Sequence, residues 1–233
     1  MQNNKFFSQE ITADGSPTLK STEKMHHSAG AASETIYIYG AAIDLAQQKL
    51  NSAEIQYLVL GLGLGYIEMM IALMTDFKFK KILSFEINHD LINNFESWCK
   101  SSSGDSIYDQ VFLCLSEKMN IKYSLADFKV KMKQKLMNQD LEIVGDIFEN
   151  FHLLYQNKFH VICFDAFSSQ TDDHLWTDEF IGKFIDYFCS EKCIFASYAK
   201  TGVLNRKLKN KNFNLFQKKG FSGKRESTLA LRL

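Results

Sequence analysis

The chain has 233 residues, 45% of them hydrophobic and 23% charged, with 27 basic and 27 acidic side chains and a formal net charge of zero. This composition suits one large domain or two small ones and excludes a wholly disordered, collagenous or fibrous chain. No apolar run approaches the ~18 residues that span a bilayer, and the polar start Met-Gln-Asn-Asn-Lys5 lacks the apolar core of a secretory signal. The expectation is a cytoplasmic protein with no membrane partner.

Residues 1–50 read as an appendage on a core domain at 51–233. Phe6 to Ile11, a turn at Asp14-Gly15, and Thr18 to Ser21 predict a small hairpin. Residues 25–34 are short of large apolar side chains, Thr35 to Tyr39 reads as a strand, and Ala41 to Leu50 as a short helix. From residue 57 the pattern becomes regular. Strands are predicted at 57–60, 81–85, 141–144, 159–164 and 192–197, and a closing pair at 213–217 and 227–231. Helices are predicted at 66–75, 90–100, 125–138, 146 to about 155, through the apolar positions 175–188, and at 201–209, with 101–110 as loop. Alternating strands and helices point to an α/β fold: a mostly parallel seven-stranded sheet, helices on both faces and an antiparallel C-terminal strand.

The five cysteines (Cys99, Cys114, Cys163, Cys189, Cys193) form no CxxC pair. Cys163 sits in an apolar run, as a small core residue, and Cys189 with Cys193 lacks the second pair that a structural metal site needs, so no metal is expected. The zero net charge conceals an asymmetry. Residues 200–225 hold nine Lys or Arg and no acid, leaving 17 basic and 26 acidic side chains in residues 1–199. That segment is either a solvated surface or a polyanion contact.

In an open α/β sheet, ligands bind beyond the carboxyl ends of the strands. Four features fall there. Gly61-Leu-Gly-Leu-Gly65 allows a tight turn and close backbone approach, but its GxGxG spacing puts Tyr66 where a dinucleotide fingerprint has glycine, which disfavours a pyrophosphate. Glu86, 25 residues beyond Gly61, is placed to accept from ribose hydroxyls, or to pair with a surface lysine. Asp146 can take a hydrogen bond from an adenine amine or cap the following helix. Asp165 ends an apolar strand at the mouth of the central cleft, where a carboxylate can orient or deprotonate a nucleophile. Trp176 reads as core packing.

Together these features resemble the class I, Rossmann-like S-adenosylmethionine-dependent methyltransferases. Three segments narrow the resemblance. Asp165-Ala-Phe-Ser-Ser-Gln-Thr-Asp-Asp-His-Leu-Trp176 is similar to the run DAFAPxxNPxxW, Gln217-Lys-Lys-Gly-Phe-Ser-Gly-Lys-Arg-Glu226 to KxKGFGxKRE, and Met25-His-His-Ser-Ala-Gly-Ala-Ala-Ser-Glu34 to YHSxxGAxxE. They belong to the methyltransferase component of the bifunctional tRNA enzymes that make 5-methylaminomethyl(-2-thio)uridine at the wobble position. The resemblance implies S-adenosyl-L-methionine as cofactor, held by Gly61, Gly63, Gly65, Glu86, Asp146 and Glu34, with Asp165 catalytic. It also implies tRNA bound at its anticodon loop by Phe167, Lys218, Lys219, Lys224 and Arg225. No fused oxidase domain is expected, so a separate oxidase or upstream tRNA-modifying enzymes would supply the amine.

The chain departs from the family pattern at Ser169 and Asp173, which replace prolines, at Ile67 in place of an asparagine, and at His27 in place of a serine. Two other functions share these features. A spermidine synthase-like aminopropyltransferase would favour a GGGxG loop, where Leu62 stands, and gives no reason for the GFSGKRE tail. An inactive methyltransferase-fold module for RNA or partner binding would bind the cofactor weakly.

Overall fold

A computed structural model describes residues 7–20, 25–51, 54–101, 104, 106–151, 158–168, 171–223 and 226–233. The ends of the expected hairpin at Phe6 and Ser21, the helix positions 152–155, and Ser169, Lys224 and Arg225 lie outside them.

Seven strands form one sheet in the order β5-β4-β3-β6-β7-β9-β8. They are β3 (Gln56–Leu60), β4 (Lys81–Phe85), β5 (Leu141–Val144), β6 (Phe159–Phe164), β7 (Cys189–Ser197), β8 (Asn214–Lys218) and β9 (Ser227–Arg232). β3, β4, β5, β6 and β7 pair in parallel, while β9 runs antiparallel to both β7 and β8. A separate antiparallel hairpin joins β1 (Ser8–Ile11) to β2 (Pro17–Lys20). The expected Rossmann-like α/β architecture, a mostly parallel seven-stranded sheet with an antiparallel C-terminal strand and a separate N-terminal hairpin, is therefore present.

The central strands are apolar on both faces because helices cover both. Tyr57 and Val59 of β3 point into one core with α1 (Ala31–Thr35), α2 (Ala41–Lys49), α3 (Tyr66–Thr75), α4 (His89–Lys100), α5 (Ile107–Lys118) and α6 (Leu125–Met137). Leu58 and Leu60 point into the other, with α7 (Ile147–Asn150), α8 (Asp178–Phe188) and α9 (Gly202–Asn210). A one-residue slip in register would exchange these two sets of side chains. No helix among the described residues is long and apolar enough to cross a membrane.

Three segments differ from the sequence reading. Thr35 to Tyr39 is helical: α1 passes through a π-helical turn (Ile36–Gly40) into α2. The alternating β-branched and aromatic residues suggested a strand, but the N-terminus of α1 is fixed from outside. The Ser16 hydroxyl accepts from the amides of Ala31 and Ala32 at 3.0 Å, and Asp14 Oδ2 accepts from that of Ser33 at 3.0 Å. These bonds satisfy amides that a helix start otherwise leaves unpaired. Residues 107–110, expected as loop, begin α5 behind a capping box of Ser106 and Asp109. The apolar run 175–188 breaks at Thr177, whose hydroxyl accepts from Phe180 N at 3.1 Å, leaving a 3-10 turn (Asp173–Trp176) ahead of α8.

Candidate active site

The strand order reverses between β3 and β6. There Leu60 pairs in register with Phe85 on one side and Phe164 on the other. Flush strand ends deliver the glycine loop, Glu86, Asp146 and Asp165 to one rim, the topological switch point where α/β sheets bind ligands. Asp165 N donates to Leu60 O at 2.9 Å, tying the two central loops together.

The loop conformation requires glycine at two positions. Gly61 has φ +104°, and a Cβ there would lie 2.7 Å from the carbonyl oxygen of Asp165. Gly65 has φ +71°, and a Cβ there would lie 2.2 Å from the ring of Phe95. Gly63 instead offers its amide, which donates to Glu86 Oε2 at 3.0 Å, while Asn88 N donates to Glu86 Oε1 at 2.9 Å. Both carboxylate oxygens are thus held by backbone donors, and a carboxylate has lone pairs enough to accept further hydrogen bonds. Burial pushes the Glu86 carboxyl above its ordinary value, against these backbone hydrogen bonds.

Above the rim lies a cavity of about 570 Å³. Five carboxylates line it (Glu34, Glu86, Asp146, Asp165 and Asp172), and its described lining contains no lysine or arginine. Asp146 caps α7, its Oδ1 accepting from Phe148 N at 2.8 Å, so the capping alternative is realised. Ile87 and Phe148, 73% and 50% exposed, contribute apolar walls on either side. Tyr66 is buried at the start of α3, its hydroxyl donating to Pro17 O at 2.7 Å, with its ring at the cavity wall.

The opposite half of the cavity is built around Asp165. Tyr39, buried on the π-helical turn, donates its hydroxyl to Asp165 Oδ1 at 2.5 Å. Burial, then the Asp165 charge, pushes the Tyr39 phenol well above its usual range, so it stays protonated and donates. Glu34, also buried, accepts from His27 N at 2.6 Å. In an ideal α-helix, residues five apart point about 140° from one another. The wider π turn brings Glu34 and Tyr39 onto one cavity-facing side, a placement typical of π-bulges at functional sites. Phe167, Tyr198 and His174 complete this half, and the Trp176 indole donates to Phe167 O at 2.7 Å.

Of the residues singled out from sequence, Gly61, Gly63, Glu34, Glu86, Asp146, Asp165 and Phe167 line this cavity, and Gly65 shapes the loop beneath it. Tyr39, Tyr198, Ile87, Phe148, Asp172 and His174 line it too and were not anticipated. The described C-terminal basic residues are not among the cavity lining. Lys218 donates to the carbonyls of Tyr37 and Ile38. Lys200 pairs with Glu226, Lys207 with Asp178 and Lys211 with Asp186, each at 2.5 Å, and Arg206 pairs with Asp178. Lys209 and Lys219 are exposed. The surface pairs contribute little to stability and can exchange partners with phosphates.

This donor set fits S-adenosyl-L-methionine. Glu86 can accept from ribose hydroxyls, the apolar Ile87 and Phe148 line the cavity together with Asp146 and suit a heterocycle, and the carboxylates suit a sulfonium cation and disfavour phosphates.

A family model described as S-adenosyl-L-methionine-dependent methyltransferase matches residues 111–232. The chain belongs to that family. No curated protein sequence matches this methyltransferase. Among solved structures it is similar to MNMC2 from Aquifex aeolicus (TM-score 0.67, 22% identity, 98% of this chain and 71% of that one). It is also similar to a spermidine synthase bound to the transition-state analogue AdoDATO (TM-score 0.60, 14% identity, 100% and 71%). Human methyltransferase-like protein 13 in complex with SAH follows (TM-score 0.51, 15% identity, 87% and 82%). At these identities the likenesses establish the fold, that of the class I methyltransferases, and the family establishes S-adenosyl-L-methionine as cofactor.

Proposed function

We propose that this methyltransferase N-methylates the primary amine of 5-aminomethyl(-2-thio)uridine at the wobble position of tRNA, in the cytoplasm. The observation that carries this reading is the cavity's lining of five carboxylates, with no lysine or arginine among its described residues. Such a cavity favours a cationic or amine acceptor and disfavours phosphate groups. The three sequence segments that resemble the tRNA wobble methyltransferases supply the identity of the amine, and the name of the MNMC2 neighbour is consistent with it.

When bound, S-adenosyl-L-methionine supplies a methyl group activated by a sulfonium. Gly61, Gly63, Gly65 and Glu86 would hold the ribose end, with Asp146, Ile87 and Phe148 around the adenine. Glu34 would fix the loop at 25–30 over the opposite end. The acceptor nitrogen must be neutral to attack. A sulfonium beside it disfavours the ammonium form by like-charge repulsion. On taking the methyl group, the acceptor nitrogen would gain positive charge. Asp165, held by Tyr39, would accept an N–H hydrogen bond from the acceptor and stabilise that developing charge. The surplus proton then leaves toward the carboxylate and solvent.

A wobble base reaches such a cavity by leaving the anticodon stack, and Phe167 would receive it. The phosphates stay outside, near Lys218, Lys219, Lys224 and Arg225, which gives binding a steep salt dependence. On this reading residues 51–233 are the catalytic domain and residues 1–50 its cover, with a separate oxidase or other tRNA-modifying enzyme supplying the amine.

The same carboxylates would also accept a free aliphatic diamine, so an aminopropyl transferase is the competing reading. Methyl-labelled S-adenosyl-L-methionine and its decarboxylated form labelled in the aminopropyl chain separate the two. Methyl label entering tRNA that bears 5-aminomethyluridine, and lost in Asp165→Asn, supports methyl transfer. Aminopropyl label entering putrescine, with none in tRNA, rejects it.

A further inference from the structure

Three aromatic rings run outward from the cavity wall. His27 lines the cavity. Phe221 meets it edge-on, with ring centroids 5.9 Å apart, and Tyr37 follows at 6.0 Å from Phe221. Neither Phe221 nor Tyr37 belongs to the cavity lining, and Tyr37 is 39% exposed. The rings come from three separate segments: the loop at 25–30, the π-helical turn and the C-terminal 3-10 turn (Phe221–Gly223).

Backbone contacts lock these segments together. The Tyr37 hydroxyl donates to Lys219 O at 3.0 Å. Lys218 lies 4.7 Å from the Tyr37 ring centroid while donating to two carbonyls of the π turn. Ser222 adopts φ 47° and ψ 49°, in the left-handed region that non-glycine residues rarely enter, and so bends the chain sharply just after Phe221. Lys219, whose carbonyl accepts from Tyr37, is exposed.

Aromatic faces at the mouth of a cavity, flanked by lysine, are what single-stranded RNA requires: stacking surfaces for bases and positive charge for the backbone. The cavity is anionic, so a strand that inserts one base must keep its phosphates and neighbouring bases at the rim.

We propose that Phe221 and Tyr37, continuing from His27, form a stacking subsite for the nucleobase next to the one that enters the cavity. Lys219 meets the phosphate beside it. The inference rests on the RNA reading above and extends it to a second nucleotide.

The test uses the full chain and an anticodon stem-loop RNA carrying 2-aminopurine next to the wobble nucleotide. Wild type and Tyr37→Phe, which keeps the ring, are expected to quench the fluorescence on binding. Phe221→Leu and Tyr37→Leu are expected to abolish the quench and weaken RNA binding by about tenfold, in line with the loss of one stacked base. Their S-adenosylhomocysteine affinities should match wild type, and Tyr37→Phe controls for loss of the hydroxyl bond to Lys219. Phe221 packs partly on the core, so Tyr37→Leu, at an exposed position, decides the matter if Phe221→Leu unfolds. RNA binding and quenching unchanged in Tyr37→Leu would overturn the stacking subsite and leave the RNA reading standing. Failure of wild type to bind the RNA at all would overturn both.

Discussion

The Tyr39 hydroxyl donates to Asp165 Oδ1 across 2.5 Å, joining a helical turn of the N-terminal segment to the end of a central strand. Both partners face the cavity, yet Tyr39 is buried and kept protonated, so it can hold the carboxylate without competing with it as a base. Tyr39→Phe keeps the ring and removes this bond. A hydrogen bond to a charged group is worth about 1.5–3 kcal/mol, so kcat should fall at least about tenfold while cofactor affinity stays constant. Steady-state kinetics and calorimetry with S-adenosylhomocysteine check this; an unchanged kcat would assign Tyr39 to packing alone.

Cofactor affinity should depend on the protonation of Glu86. The group must be ionised to accept from two backbone amides and the ribose hydroxyls, and burial raises its pKa. Affinity is therefore highest above the raised value and is lost as pH falls through it, at less acidic pH than an ordinary glutamate would show. Glu86→Gln should bind about tenfold more weakly at neutral pH and lose this pH dependence. Titrations of S-adenosylhomocysteine binding between mildly acidic and neutral pH test both parts.

The three loop glycines should respond differently to alanine. Gly61→Ala and Gly65→Ala drive a Cβ to 2.7 Å from a backbone oxygen and 2.2 Å from a buried ring, and each should lower the yield of folded protein severely. Gly63→Ala meets only Met25 Sδ, at 3.5 Å, and its φ of +52° should cost about 1–2 kcal/mol. Thermal denaturation of the three variants distinguishes them.

Glu68 provides a stability test independent of function. It is fully buried in α3, accepts from the Ser84 hydroxyl through Oε1, and has no partner at Oε2. Burial pushes its carboxyl up to about 8 from an ordinary 4.5. The folded protein then holds a proton that the unfolded chain releases. Its contribution is complete below pH 4.5 and is lost as pH rises toward 8. Glu68→Gln mimics the protonated acid and should gain stability relative to wild type across that window, on the order of a few kcal/mol. Urea denaturation at several pH values measures the difference.

The sheet and the strand-end residues were legible because their signals are local. The apolar run of β3 ends directly in glycines, and Glu86, Asp146 and Asp165 each follow a strand. Tyr39 was hidden because its alternating neighbours imitate a strand. The helix there is imposed by Asp14 and Ser16, more than a dozen residues away. α5 carried a readable signal in Ser106 and Asp109 that the loop assignment passed over. Ile87 and Phe148 gave no warning, since exposed apolar residues acquire meaning only once the cavity between them is seen. The C-terminal lysines were visible as charge, but their ion pairs with α8 and with Glu226 depend on tertiary contacts.

The most direct test of the central claim is nucleoside mass analysis of tRNA bearing 5-aminomethyluridine after incubation with the protein and S-adenosyl-L-methionine. The account predicts that the wobble nucleoside gains one methyl group on its amine, at a rate that collapses in Asp165→Asn while cofactor binding persists. An unmodified wobble nucleoside, from protein that binds the cofactor normally, would contradict it.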